Sequence, residues 1–325
     1  MKKVLKYIAV IGSCIIALAV FAATYIKVGL PSINVPDGID VLVTKARVDR
    51  GRYLANHVAV CMDCHSSRDW GQFSGPPLKG SKLGGGGQRF GREAGFPGNF
   101  YAPNITPYEL SDWSDGEIFR AITAGVNRDG RALFPVMPYH NYGQLDKEDI
   151  LDIIAYLRSL DPVKNKVPVS KADFPINFII NTMPREPVAS PRPSKAERLQ
   201  YGKYLVNMAG CVDCHSNREK GEIIPGSEFG GGMEFRQPAG IVRAPNITSD
   251  EETGIGSWSQ EMFIRKFRQY GDSTYVPVAL SKSDLNTPMP WTMYAGMDEK
   301  DLDAIYTYLV SLKPVKNTVT RYEKK

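Results

Sequence analysis

The sequence has few of the residues that build cross-linked or reactive sites: five cysteines, four histidines and four tryptophans among 325 residues. So few cysteines exclude a disulfide-stapled scaffold, and a chain of 36.0 kDa has ample surface to bury in a core of its own. Long alternating polar and apolar runs are missing, which argues against a sandwich or a barrel. An excess of charge is lacking too. Lys2, Lys3, Lys6 and Lys27 supply most of the formal +5, and the remaining 36 basic residues face 35 acidic ones. That balance leaves no polyanion-binding face and excludes nucleic acid as a partner.

What is present fits roughly two globular domains. Hydrophobic residues at 42% and charged residues at 23% exclude a mostly disordered chain and a many-helix membrane protein, and 30 Gly with 23 Pro predict extensive loops. Tyr7 to Ile26 form one uncharged, mostly apolar stretch, long enough as a helix to cross a bilayer. Residues 1–30 are expected to be a membrane anchor; a cleaved signal peptide is the alternative, as is a lipoprotein through Ile11-Gly12-Ser13-Cys14. Lys2, Lys3 and Lys6 place the N-terminus in the cytoplasm by the positive-inside rule and everything after Lys27 outside it.

The chain repeats itself with a domain-sized period. Gly51-Arg52-Tyr53-Leu54 leads into Cys61-Met62-Asp63-Cys64-His65, and Gly202-Lys203-Tyr204-Leu205 leads into Cys211-Val212-Asp213-Cys214-His215. Ala102-Pro103-Asn104-Ile105-Thr106 recurs as Ala244-Pro245-Asn246-Ile247-Thr248, Trp113-Ser114 as Trp258-Ser259, and Met137-Pro138 as Met289-Pro290. The order is conserved throughout, so the chain is a tandem duplication with units at 45–165 and 191–318 and a Pro-rich linker at 166–190.

Each unit reads as mostly helical. Helices are expected from about Lys45 and Ser194, from Ser114 (with Glu117 completing a capping box) and Ser259, and at the end of each unit. The last pair place Ile150, Ile153, Ile154, Leu157 and Leu160, and Leu302, Ile305, Tyr306, Leu309 and Leu312, on one face, with Asp146/Asp149 and Asp298/Asp301 in the cap roles. No sheet is expected.

Cys-x-x-Cys-His is the attachment signature of a c-type haem: Cys61 and Cys64, and Cys211 and Cys214, form thioethers with the porphyrin, and His65 and His215 bind the iron. A four-thiolate zinc site, a redox dithiol and local disulfides are the alternatives; zinc spacings are far shorter, and no βαβ setting is present. The sixth iron position decides between carrier and catalyst. In the first unit only Met62 and Met137 are methionines, and Met62 sits inside the attachment turn, so Met137 is the axial candidate. The repeat register selects Met289 in the second. His57 and His140 are rival ligands without counterparts in the other copy. The glycine runs at 84–87 and 230–232 follow no strand and read as loops rather than phosphate cradles.

The order Gly-x-Tyr-Leu, Cys-x-x-Cys-His, Pro-Asn-Ile-Thr, Gly254-Ile255-Gly256-Ser257-Trp258-Ser259, Met-Pro and final helix resembles the multi-haem cytochrome c subunits of bacterial membrane-bound alcohol, aldehyde and sugar-acid dehydrogenases. The resemblance covers about residues 45–315. It differs in having two attachment frames where those subunits commonly carry three, and an N-terminal rather than C-terminal apolar segment. It implies a mostly α fold of two tandem class I cytochrome c domains after a transmembrane helix, with two covalent haem c groups. Asn104 and Asn246 are expected to hydrogen-bond either haem propionates or loop backbone. The implied role is electron transfer from a periplasmic or membrane-bound dehydrogenase to a quinone, cytochrome or oxidase, at the periplasmic side of the bacterial inner membrane. The alternative is a dihaem peroxidase or thiosulfate-oxidising enzyme with one open haem.

Overall fold

The computed structural model describes every residue except Met1, Lys79, Ser81, Lys220 and Lys282, so the first residue of the 1–30 segment lies outside the described residues. The chain opens with α1 (Lys2–Thr24), continued by a π-helical turn at Tyr25–Gly29. None of its residues is buried, and it is long and apolar enough to cross a membrane.

The regular structure of the rest of the described chain is mostly helix, joined by long loops, and its helices recur in pairs. α2 (Lys45–Tyr53) crosses α4 (Lys147–Arg158), and α5 (Arg198–Met208) crosses α7 (Glu299–Ser311), with α3 (Asp115–Ala124) and α6 (Gln260–Arg268) alongside. The glycine of each Gly-x-Tyr-Leu sits at its crossing. A Cβ on Gly51 would lie 1.8 Å from the Asp152 carbonyl oxygen, and one on Gly202 would lie 1.9 Å from that of Ala304. Only glycine lets the two backbones approach this closely. Buried side chains of α4, α5 and α7, together with Leu54 just after α2, join one apolar core that includes Ile150, Ile154, Leu205, Leu302 and Ile305.

A one-residue difference between the copies has a visible solution. Ten positions separate Gly51 from Cys61, but nine separate Gly202 from Cys211. The extra residue is absorbed by a π-helical turn at Leu54–Val58, closed by the Ala59 N–H donating to the Leu54 carbonyl at 2.8 Å. The second copy runs straight through as α5.

Helix starts follow local chemistry. Ser114 and Glu117 form the expected capping box on α3, and Ser259 accepts from the Met262 N–H on α6. Asp146 caps α4, whereas the Asp298 side chain makes no cap bond on α7. Asp149 and Asp301 are not caps, contrary to expectation. Both carboxylates are fully buried and take Arg and Lys partners instead: Arg50 and Arg192 on Asp149, Lys195 on Asp301.

Short antiparallel strands, two to four residues each, are present where no sheet was expected. They are too short to write a period into the sequence. Gly98–Tyr101 pairs with Lys171–Ala172, and Gly240–Arg243 pairs with Tyr322–Lys324. Each is reached by a tail that follows the unit's last helix. Pro162-Val163-Lys164-Asn165 recurs as Pro314-Val315-Lys316-Asn317, and the Asn165 and Asn317 amides donate to the Gly85 and Gly230 carbonyls at 2.7 and 2.9 Å. Residues 166–172 thus run back along the first copy rather than serving only as a linker.

Candidate functional site

Each Cys frame forms one helical turn, Cys61–Cys64 and Cys211–Cys214, so the cysteines three apart face the same side. The residue before each turn is left-handed: Gly210 at φ 64°, which glycine adopts freely, and Val60 at φ 46°, a strained position for a β-branched residue. An ion pair ties each turn to the following loop, Arg68 to Asp63 at 2.6 Å and Arg218 to Asp213 at 2.8 Å. All four thiols are unpaired. Burial pushes the Cys61 and Cys211 thiols up to about 12.

The histidines show the same arrangement twice. His65 donates from Nδ1 to the Pro103 carbonyl at 2.7 Å, and His215 from Nδ1 to the Pro245 carbonyl at 2.8 Å. Burial holds both imidazoles below the ordinary histidine range, partly offset by these bonds, so they are neutral at pH 7. With Nδ1 committed, the tautomer is fixed and Nε2 is left as a lone-pair donor to a metal.

The loops carrying Pro103 and Pro245 are held by the two asparagines. Asn104 donates to the Val163 and Asn165 carbonyls and accepts from the Thr106 N–H and hydroxyl. Asn246 donates to the Val315 carbonyl and Thr253 hydroxyl and accepts from both Thr248 groups. Every donor and acceptor of both amides is used inside the protein. Of the two expected roles their side chains fill the loop role. Gly86 and Gly231 complete these loops: their N–H groups donate to the His65 and His215 carbonyls at 2.8 Å, and a Cβ on either would lie 2.6 Å from the N of Asn104 or Asn246.

Met137 and Met289 sit half-buried against the core, each followed by a single helical turn, Tyr139–Tyr142 and Trp291–Tyr294. Tyrosines in those turns tie each methionine loop to its own Cys frame. Tyr142 donates to the Ala59 carbonyl at 3.0 Å and Tyr294 to the Ala209 carbonyl at 2.8 Å, each two residues before the first cysteine. Of the rival ligands, His140 lies against Tyr139 with ring centroids 4.4 Å apart. His57 points away into the second copy and donates from Nδ1 to the Met293 carbonyl at 2.8 Å.

Residues 199–313 match the cytochrome c family. This part of the chain resembles a cytochrome c domain. The wider chain resembles cytochrome c subunits of bacterial dehydrogenases. It is 29% identical to the fructose dehydrogenase cytochrome subunit of Gluconobacter japonicus over 85% of its own length. It is 27% identical to the cytochrome c subunit of the quinone alcohol dehydrogenase of Gluconacetobacter polyoxogenes over 90%, and 27% identical to the gluconate 2-dehydrogenase cytochrome c subunit of Pantoea cypripedii over 82%. The chain spans 55%, 61% and 60% of those relatives.

A cytochrome c domain carries covalently bound haem c, and the donor set here suits that group: two thiols on one face of a turn followed by an imidazole with only Nε2 uncommitted. The four-thiolate zinc alternative is not supported, since among the described residues no three His, Cys, Asp or Glu side chains converge on a metal position.

Contacts between the second copy and the first were not legible in the sequence. Asn207 donates to the Asn141 carbonyl at 3.1 Å, matching His57 on Met293, so in each copy the carbonyl four residues past the methionine is held by the other copy. Ser74, fully buried, donates to the Met289 carbonyl at 2.7 Å and accepts from the Trp291 N–H at 2.9 Å. No local motif marks Ser74. The signal available for the Pro-Val-Lys-Asn tails was their repetition.

Proposed function

We propose that the chain is a membrane-anchored dihaem cytochrome c that passes electrons between an exported dehydrogenase and a respiratory acceptor, a quinone, cytochrome or oxidase. In this reading each copy is one class I cytochrome c domain, at 45–165 and 191–318. Cys61, Cys64, Cys211 and Cys214 hold the two haems covalently, His65 and His215 are the proximal ligands, and Met137 and Met289 the distal ones. Haem supplies a one-electron couple, raised in potential by thioether ligation. The observation that carries the reading is the duplicated donor set, with the same prolyl carbonyl bond on both histidines.

The protein's own part is to fix ligand geometry and exclude water. Desolvation keeps the histidines neutral, and the tyrosine and asparagine bonds hold the methionine and proline loops against the Cys turns. Asn141, in the turn after Met137, donates to the Asp213 carboxylate inside the second Cys frame at 2.7 Å, and this adjacency supports electron passage between the two centres within one chain. α1 would anchor the chain in the inner membrane, with both domains on the periplasmic side by the lysine bias of its N-terminal flank.

The test is a haem count and ligand spectroscopy on the purified full-length holoprotein. Two haems per chain, a methionine-to-iron charge-transfer band and no prompt carbon monoxide binding are expected. Met137→Ala and Met289→Ala should each lower one potential and open that haem to carbon monoxide. Prompt binding at one haem of the unaltered protein would instead indicate a dihaem enzyme such as a peroxidase.

A further inference from the structure

Eleven consecutive residues, Phe174 to Pro184, carry no charge, although they connect two polar bodies. They fold as a helical turn at Ile176–Ile179 followed by a 3-10 turn at Ile180–Thr182. Phe174 is 80% exposed and Ile179 43% exposed, which a soluble connector of this length has no reason to do.

The position of the segment identifies what covers it. Asn181 donates from Nδ2 to the Ile26 carbonyl at 3.1 Å, and the Lys27 ammonium lies 5.4 Å from the Phe178 ring centroid. Both partners belong to the turn at the end of α1, where Tyr25 and Val28 are also exposed. The other end of the segment is tied to the first copy: the Asp173 N–H donates to the Pro97 carbonyl at 2.9 Å, and the Asp173 carboxylate pairs with Arg92. The apolar residues therefore continue the surface of the membrane helix where it emerges.

We propose that residues 174–183 are a second membrane contact, a short segment lying in the headgroup region beside the exit of α1. The composition is that of an interfacial element: aromatic and branched side chains able to enter the acyl boundary, with Lys27 and Arg185 alongside for anionic headgroups. A single helix alone leaves the attached body free to swivel. A second contact tied through Asp173 to the first copy restricts that freedom, so one face of the protein is held against the bilayer. The proposal rests on the reading of α1 as membrane-spanning.

Nitroxide labelling of the holoprotein in nanodiscs of phosphatidylcholine and phosphatidylglycerol tests it. One label is placed on native Cys14 within α1; others are placed on Phe174→Cys, Ile179→Cys and, as an aqueous control, Val276→Cys, each in a Cys14→Ala background with an unchanged haem spectrum. Labels at 174 and 179 should show an oxygen-to-nickel accessibility ratio several-fold above that at 276. If 174 and 179 match 276 while Cys14 is shielded from nickel, the second contact is refuted and the anchor stands; that outcome also fits a segment reserved for a protein partner. A nickel-accessible Cys14 overturns both.

Discussion

Tyr53 donates its hydroxyl to the Asp301 carboxylate at 2.8 Å, and Tyr204 donates to Asp149 at 2.7 Å in the opposite direction. The tyrosines are the third residues of the two Gly-x-Tyr-Leu motifs, and both carboxylates are fully buried. The first helix of each copy thus closes onto the last helix of the other, a reciprocal pair of bonds that adds to those of His57, Asn207 and Ser74 between the two halves. Burial, with the facing carboxylate second, raises both tyrosine pKa values and keeps the hydroxyls protonated as donors.

Removing either hydroxyl leaves a buried carboxylate short of a donor. Tyr53→Phe and Tyr204→Phe should each cost about 2 kcal/mol, the range for a hydrogen bond to a charged group, measured by urea unfolding. A loss below about 0.5 kcal/mol for both would show that the pairing does not hold the copies together.

The glycine at the helix crossing tolerates no side chain. Gly202→Ala forces α5 and α7 apart, because the new methyl would lie 1.9 Å from a backbone oxygen that has no rotamer to escape into. A destabilisation of at least about 3 kcal/mol and a sharp fall in holoprotein yield are expected. Near-normal yield would mean that the crossing is looser than it is here.

Ser74 belongs to the first copy but holds the methionine loop of the second. Ser74→Ala removes a donor from the Met289 carbonyl and an acceptor from the Trp291 N–H, worth about 1–3 kcal/mol together. Added imidazole should displace the second methionine roughly tenfold more readily while the first site is unaffected. Equal changes at both sites, or none, would remove Ser74 from this role.

His140 supplies a pH dependence. Its pKa is held below 6.5 by burial first and by the charge of Arg185 second, against weaker opposing effects of Asp213 and Glu222. The unfolded chain therefore binds the proton more readily, and the stability this residue contributes is present above about pH 6.5 and lost as pH falls below it. His140→Gln should flatten the stability curve between about pH 5 and 7 in urea titrations. An unchanged slope would assign the dependence to other groups.

Much of the fold and site was legible because it rests on local chemistry. Cys-x-x-Cys-His places two thiols and an imidazole on one turn whatever surrounds them, Ser114 with Glu117 starts a helix by itself, and the apolar spacing of α4 and α7 writes their buried faces into the chain. The duplication and the apolar helix at the N-terminus needed nothing beyond composition and order. Tertiary structure decided what each conserved-looking position does once distant segments meet. Asn104 and Asn246 became loop anchors because Val163 and Val315 arrive from tails about 60 to 70 residues away to take their donors. Asp149 and Asp301 became buried hubs rather than caps because the other copy supplies a tyrosine to each. His57 serves as a clasp between the copies for the same reason: its partner, the Met293 carbonyl, lies 236 positions away, and a backbone carbonyl carries no side-chain signature that a sequence could display.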